Sequence, residues 1–237
     1  MRFETTNWSL ILQARGTQAT PAREALASLC ASYWPPVYAF IRRRGRAPAD
    51  AEDLTQAYFA RFFEKGYVNA FRPEVGRFRT FLLASVTHFL ANEWDREQAK
   101  KRGGGARHLS LDASSAEERL RLEPVDHLTP EAIFERQWTA AVLARCVERL
   151  RAEQSASGTR ARFERLKSFL TGEGAPGDYA GLAPELGLSA STVRVAVHRL
   201  RRRFAEVLRE EVAGTLTDPA EVDAEIRWML ESLRSDK

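Results

Sequence analysis

Apolar residues along this chain return every three or four positions, and alternating runs of β-branched residues do not occur. That period predicts helices throughout. From Pro21 onward, Leu26, Leu29, Cys30, Tyr33, Val37, Phe40 and Ile41 mark one face as far as Arg44. Pro35 and Pro36 predict a kink in this helix, and Gly45 a stop. A second helix carries Leu54, Tyr58 and Phe62, with Phe59 and Phe63 beside them. Asp50 is its candidate N-cap and Gly66 its end. After an aromatic and basic loop, 67–76, a third helix carries Phe78, Phe81, Leu82, Ser85, Val86, Phe89 and Leu90. It runs into a basic end at Arg96–Arg102 and breaks at Gly103–Gly105. Residues 103–128 have few apolar anchors and read as a flexible linker. Thr129-Pro130-Glu131 then has the form of a helix start, and Ile133, Phe134, Trp138, Ala141, Val142, Cys146 and Leu150 follow it at helical spacing. Glu153–Thr159 reads as a loop, Phe163–Leu170 as a further helix, and Gly172–Gly177 as a turn. The fold class is all-α: two helical units, 1–102 and 129–214, joined by the linker. An extension, 215–237, carries an apolar stripe of Val222, Ile226, Leu230 and Leu233 after a start at Thr217-Asp218-Pro219. That stripe must be covered, either by the second unit or by masking a functional surface.

The stretch Asp178–Phe204 predicts two short helices with a tight turn. Asp178 is a candidate cap for the first, which carries Leu182, Ala183 and Leu186 on one face. Gly187 supplies the left-handed conformation for a sharp exit, Leu188 plugs the corner, and Ser189 caps the second helix. That helix buries Val193, Val197, Leu200, Phe204 and Leu208. Its other faces carry Arg194, His198, Arg199, Arg201, Arg202 and Arg203. A small residue at the helix crossing, a glycine four positions on and a β-branched residue six beyond that form the helix-turn-helix pattern. Such a helix presents Ser191, Thr192, Arg194 and Val195 to base edges in the major groove. His198, Arg199, Arg201 and Arg202 would lie along the phosphates.

Charge changes this picture little. The 237 residues carry a net charge of only +4, so a nucleic-acid partner is allowed but not demanded by the total. Cys30 and Cys146 fall on apolar stripes and read as buried thiols. With four scattered histidines, they give no metal site. No segment has the ~20 apolar residues of a membrane span. The N-terminus lacks the charged and apolar regions of a signal peptide, so a cytoplasmic location is expected.

Three segments together resemble the extracytoplasmic-function sigma factors of bacterial RNA polymerase, within the sigma-70 family. SYWPPVYAFIRRRGRAPADAEDLTQAYFARFF is similar to their first two conserved helices. GRFRTFLLASVTHFLANEWDREQAKKR is similar to the helix that opens and reads the minus-ten promoter element. YAGLAPELGLSASTVRVAVHRLRRR resembles their minus-thirty-five reader. The resemblance spans roughly residues 22–102 and 130–210. It implies that the first unit is sigma domain 2, binding core polymerase and the minus-ten element, and that the second is sigma domain 4. The implied partners are core RNA polymerase, through its β′ clamp helices and β flap, and promoter DNA. It implies further that Asp50, Glu52, Asp53, Leu54 and Gln56 dock on the clamp helices. Minus-ten contacts would come from Tyr67, Phe71, Arg79, His88, Asn92, Arg96, Lys100, Lys101 and Arg102, with aromatic side chains stacking on unpaired bases. Three positions depart from the family pattern. Ala57 stands where relatives carry an acidic residue, Phe81 where a tryptophan is frequent, and His88 where an asparagine is usual. A phosphate on Thr55 would restore charge beside Ala57, which makes Thr55 a candidate phosphorylation site and a Ser/Thr kinase a candidate partner. An anti-sigma factor is another.

The alternative is a helix-turn-helix regulator that does not bind core polymerase; polymerase binding separates the two. The chain shows no phosphate-binding glycine loop, no metal-ligand cluster and no nucleophile at a recognisable spacing from a base, so the expectation is a protein without cofactor or catalytic residues.

Overall fold

The computed structural model of the chain describes residues 20–72, 76–100, 128–171, 179–216 and 218–234; for 20–29, 69, 97–100 and 171 it describes the backbone alone. Among the described residues every regular element is helical and none is a strand. The expected linker and the capping role of Asp178 lie outside the described residues.

The first helix, α1 (Thr20–Arg43), is continuous through Pro35 and Pro36. It ends where the Gly45 N–H donates to the Arg42 carbonyl at 3.0 Å, with Gly45 at φ +87°. The second helix, α2 (Pro48–Glu64), begins earlier than its acidic residues suggest. Ala47 takes the N-cap position and Pro48 the first turn, which leaves Asp50 inside that turn rather than at the cap. Proline needs no N–H donor there, so it decides the start. Gly66, at φ +61°, closes α2 and leads into a short 3₁₀ turn, Tyr67–Ala70. Next, α3 (Phe78–Lys100) buries Phe78, Leu82, Val86, Phe89 and Leu90.

These three helices share an aromatic core. Tyr58 meets Phe89 edge-on at 5.5 Å, Phe71 meets Phe78 at 5.1 Å, and Tyr33 meets Phe78 at 5.4 Å. Edge-to-face packing places positive ring edges on negative ring faces, which suits so dense a cluster.

In the second half, α4 (Pro130–Ala156) starts at Thr129, whose hydroxyl accepts from the Ala132 N–H at 3.1 Å. It continues four residues into the segment expected to be a loop and turns only at Gly158, φ +73°. Two short helices follow, α5 (Arg160–Leu166) and α6 (Ser168–Thr171). They precede α7 (Tyr179–Glu185), α8 (Ala190–Ala213) and, after a 3₁₀ turn at Pro219–Glu221, α9 (Val222–Arg234). Asp218 caps that turn by accepting from the Ala220 N–H at 2.8 Å.

The two halves do not stand apart. α1 is apolar on a second face, where Ala39 packs against Ile133 and Phe40 meets Phe134 edge-on at 6.4 Å. Arg43 donates to the Leu128 carbonyl at 2.9 Å, and Arg44 pairs with Glu131 at 3.2 Å. One hydrophobic cluster therefore runs from Tyr33 to Met229. α9 packs on α4 and α8. Its buried line is Val222, Glu225 and Met229, while Leu230, expected on the buried stripe, is 43% exposed.

Candidate nucleic-acid interface

The turn between α7 and α8 is fixed by local hydrogen bonding. Gly187, at φ +62°, donates from its N–H to the Pro184 carbonyl at 3.1 Å, and Leu188 donates to the Ala183 carbonyl at 3.0 Å. This pair of bonds is the Schellman motif, and it satisfies carbonyls that the end of α7 would otherwise leave open. Ser189 then accepts from the Thr192 N–H at 3.2 Å and starts α8. Val193, Val197 and Leu200 point inward.

The outward face of α8 holds Ser191, Thr192, Arg194, Val195, His198, Arg199, Arg201 and Arg202, every one exposed. Val195 is 49% exposed, an apolar side chain with no packing role among its charged neighbours. Arg194 and Arg199 make no ion pair among the described residues. Arg202 pairs with Glu206 at 3.3 Å, and Arg201 donates to the Phe169 carbonyl at 3.0 Å. Arg203 has a different task. Its guanidinium grips Glu153 of α4 at 3.0 and 2.7 Å, and that bond holds the Glu153 carboxyl below its ordinary range. It anchors α8 rather than facing outward. A cleft of about 340 Å³ runs along the same helix, between Thr192, Val195 and Arg199 on one side and Arg162 and Phe163 on the other.

In the first half, α2, the 3₁₀ turn and α3 enclose a cleft of about 270 Å³. Tyr67, Phe81, Ser85, His88, Phe89 and Asn92 line it, with Arg61 at its edge. Tyr67 is 37% exposed, lines the cleft and meets Phe62 edge-to-face at 6.2 Å. His88 and Asn92, four residues apart on α3, are exposed on the same face. Arg61 reaches Glu93 at 3.3 Å, and Arg96 reaches the same carboxylate at 2.7 Å. Arg61, Phe81 and Ser85 were not singled out as contacts in the sequence. Phe81 and Ser85 read there as core positions, and only the fold shows them at the wall of an opening.

Several expected contacts are elsewhere. Phe71 is 2% exposed and packs into the aromatic core against Phe78 and Phe81, so its ring has no free face for a base. Arg79 is 5% exposed and is used in ion pairs with Glu225 and Glu135, which removes it from the DNA-facing set. Lys101 and Arg102 lie outside the described residues, as does the side chain of Lys100.

The α2 face divides in the same way. Asp50, Asp53 and Gln56 are exposed and Leu54 half-buried, but Glu52 is 2% exposed and turned inward. Thr55 is fully buried, and its hydroxyl donates to the Ala51 carbonyl at 2.6 Å. A kinase cannot reach that oxygen in the folded chain, and a phosphate there would be buried without water. Thr55 is withdrawn as a phosphorylation site, and with it the argument for a kinase partner.

Cys146 is buried and Cys30 partly so; neither is in a disulfide. Burial pushes the Cys30 thiol up to about 11 and the Cys146 thiol up to about 12. No group of three or more metal-ligating side chains occurs among the described residues, and no helix there is long and apolar enough to cross a membrane.

Comparison with known proteins gives one family. Residues 29–100 match the family model described as Sigma-70 region 2, a match that contains α2, the 270 Å³ cleft and the whole of α3. This supports a member of the sigma-70 family, with a role in promoter recognition and RNA polymerase binding. Neither a curated protein nor a solved structure matches significantly.

Proposed function

We propose that this chain is an alternative sigma factor of the extracytoplasmic-function type, working in the bacterial cytoplasm. It would bind core RNA polymerase, direct it to promoters and help open the DNA, with no covalent chemistry of its own. One observation carries the reading. The segment that matches Sigma-70 region 2 contains a cleft walled by an exposed tyrosine, an imidazole, an amide and a hydroxyl. A base turned out of its duplex needs an aromatic face to stack on and polar groups for its edge. Tyr67 offers the first; Ser85, His88 and Asn92 offer the second. Arg96 lies on the same helix as a cation for the backbone of the opened strand.

On this reading α2 meets the β′ clamp helices through Asp50, Asp53, Leu54 and Gln56, where exposed carboxylates pair with basic groups and Leu54 supplies an apolar contact. α7 and α8 form a helix-turn-helix that reads the minus-thirty-five element. Arg194 and Val195 reach base edges, the guanidinium bidentate to a guanine and the isopropyl group against a thymine methyl. His198, Arg199, Arg201 and Arg202 contact phosphates. The second half also meets the β flap, and an anti-sigma factor is a further partner of the family type. Transcription in vitro with purified core polymerase and genomic fragments tests the proposal. The chain should direct initiation at a recurring pair of promoter elements. Binding to DNA without association with core would leave only a helix-turn-helix regulator.

A further inference from the structure

The start of α3 carries two arginines whose partners lie far along the chain. Arg79 lies against two indole rings, 4.6 Å from the Trp138 centroid on α4 and 4.1 Å from the Trp228 centroid on α9. Its guanidinium pairs with Glu225 and contacts Glu135 at 3.0 Å. Glu225 is fully buried and takes a second arginine, Arg77, at 2.7 Å. Arg77 also reaches Glu221 at 3.6 Å. A guanidinium set against two aromatic rings and met by two carboxylates is a specific arrangement, because its charge is balanced and its flat surface is covered by rings. Three elements meet there: one from the first half, one from the second, and the C-terminal helix.

α9 itself belongs with the second half. Trp228 packs against Trp138 at 6.4 Å, and the hydroxyls of Ser232 and Thr139 lie 3.2 Å apart. Through Glu225 and Trp228 it reaches across to α3. If the protein is a sigma factor, this crossing matters. The two promoter elements lie about 25 base pairs apart, or about 85 Å along B-form DNA. A compact chain of 237 residues has a radius of gyration of about 18 Å and a diameter of about 45 Å. The closed arrangement cannot place the α3 cleft and the face of α8 on both elements at once.

We propose that α9 is an autoinhibitory latch, in which Glu225 and Trp228 hold Arg79 and keep the two halves closed until polymerase and DNA draw them apart. The inference rests on the sigma reading. The latch acts together with the apolar seam between α1 and α4, so its loss shifts an equilibrium rather than abolishing the closed state.

The test compares full-length wild type, Glu225→Gln and Trp228→Ala by small-angle X-ray scattering, far-UV circular dichroism and transcription with core polymerase at limiting sigma concentration. Wild type should scatter with a radius of gyration of about 18 Å. Both variants should expand by roughly a fifth or more, keep their helical signal, and raise transcript yield ~3–10-fold, as a shift in a closed–open equilibrium requires. Variants that remain as compact as wild type would overturn the latch. So would variants that expand without added transcripts from a template on which wild type is active. If Glu225→Gln lost its helical signal, the Trp228→Ala variant, which leaves every charge paired, would decide the matter. An absence of transcripts from all three proteins refutes the sigma reading instead, while scattering still reports whether the halves part.

Discussion

Tyr67 and Phe71 lie four residues apart in one aromatic segment, and the structure gives them opposite roles. Tyr67 is 37% exposed and lines the cleft; Phe71 is 2% exposed within the core. Replacing Tyr67 with alanine removes a stacking surface and little packing. Stacking of a base on an aromatic ring is worth about 1–3 kcal/mol, so the affinity of holoenzyme for a single-stranded promoter oligonucleotide should fall by roughly 5- to 150-fold. Tyr67→Phe keeps the ring and should stay within about threefold of wild type, because the π-face does the work. Phe71→Ala leaves a cavity against Phe78 and Phe81 and should cost about 3–5 kcal/mol of stability. For a chain of this size that lowers Tm by roughly 6–20 °C. Fluorescence anisotropy with a labelled oligonucleotide, paired with thermal melts, reads both effects. The reasoning is refuted if Tyr67→Ala binds like wild type, or if its binding loss is matched by a Tm drop like that of Phe71→Ala.

The other expectations are shorter. Arg194→Ala should relax base preference at one promoter position by about 1–3 kcal/mol, whereas Arg202→Ala should weaken all sequences alike and lower the salt slope by roughly one unit. Equal, uniform losses in a binding-site selection would remove Arg194 from base readout. Asp53→Lys should reduce core-polymerase affinity about tenfold or more without changing the melting temperature, since it reverses an exposed charge on the docking face. Thr55→Glu should instead destabilise the fold by about 3–5 kcal/mol, because it places an unpaired carboxylate in the core; a variant that melts like wild type would refute this. Neither Cys30 nor Cys146 should react appreciably with a thiol reagent at pH 8 in the native state, since thiols held at about 11 and about 12 carry little thiolate there. Both should react once the chain is unfolded.

What the sequence made legible was whatever depends on near neighbours. Gly187 and Ser189 were readable because a Schellman turn and an N-cap are built from residues within a few positions. The outward set on α8 was readable because helical period alone separates Val193, Val197 and Leu200 from the arginines. The Asp50 cap failed within the same local range, because Pro48 competes for the helix start and wins. Non-local facts were not legible. Arg79 has the spacing of a surface cation on α3, and its partner Glu225 is 146 positions away. Tyr67 and Phe71 occupy an irregular segment where no period says which ring turns inward. The second apolar face of α1 is written in Ala39 and Phe40, but only the position of Ile133 and Phe134 shows what covers it. Hence the arrangement of the two halves is left open by the sequence, and the structure packs them together.

The composition of that junction bears on its reversibility. An apolar seam loses its full transfer free energy when it opens, because every exposed methylene must be hydrated at a cost. A buried ion pair behaves differently: much of the attraction between its charges is offset by the hydration they regain on separation. The polar part of the junction is thus specific when closed and comparatively inexpensive to open. Arg77, 34% exposed at its side chain, also gives water a way in beside the fully buried Glu225. A chain meant to remain closed would have gained more by extending the contact of Phe40 with Phe134 than by burying Arg79 and Glu225. Charges at this position, with two tryptophans against the guanidinium, fit a contact that must form in one register and later be given up. The aromatic core of α1, α2 and α3 has no such requirement. It is held by ring-on-ring contacts and can stay intact while the halves separate.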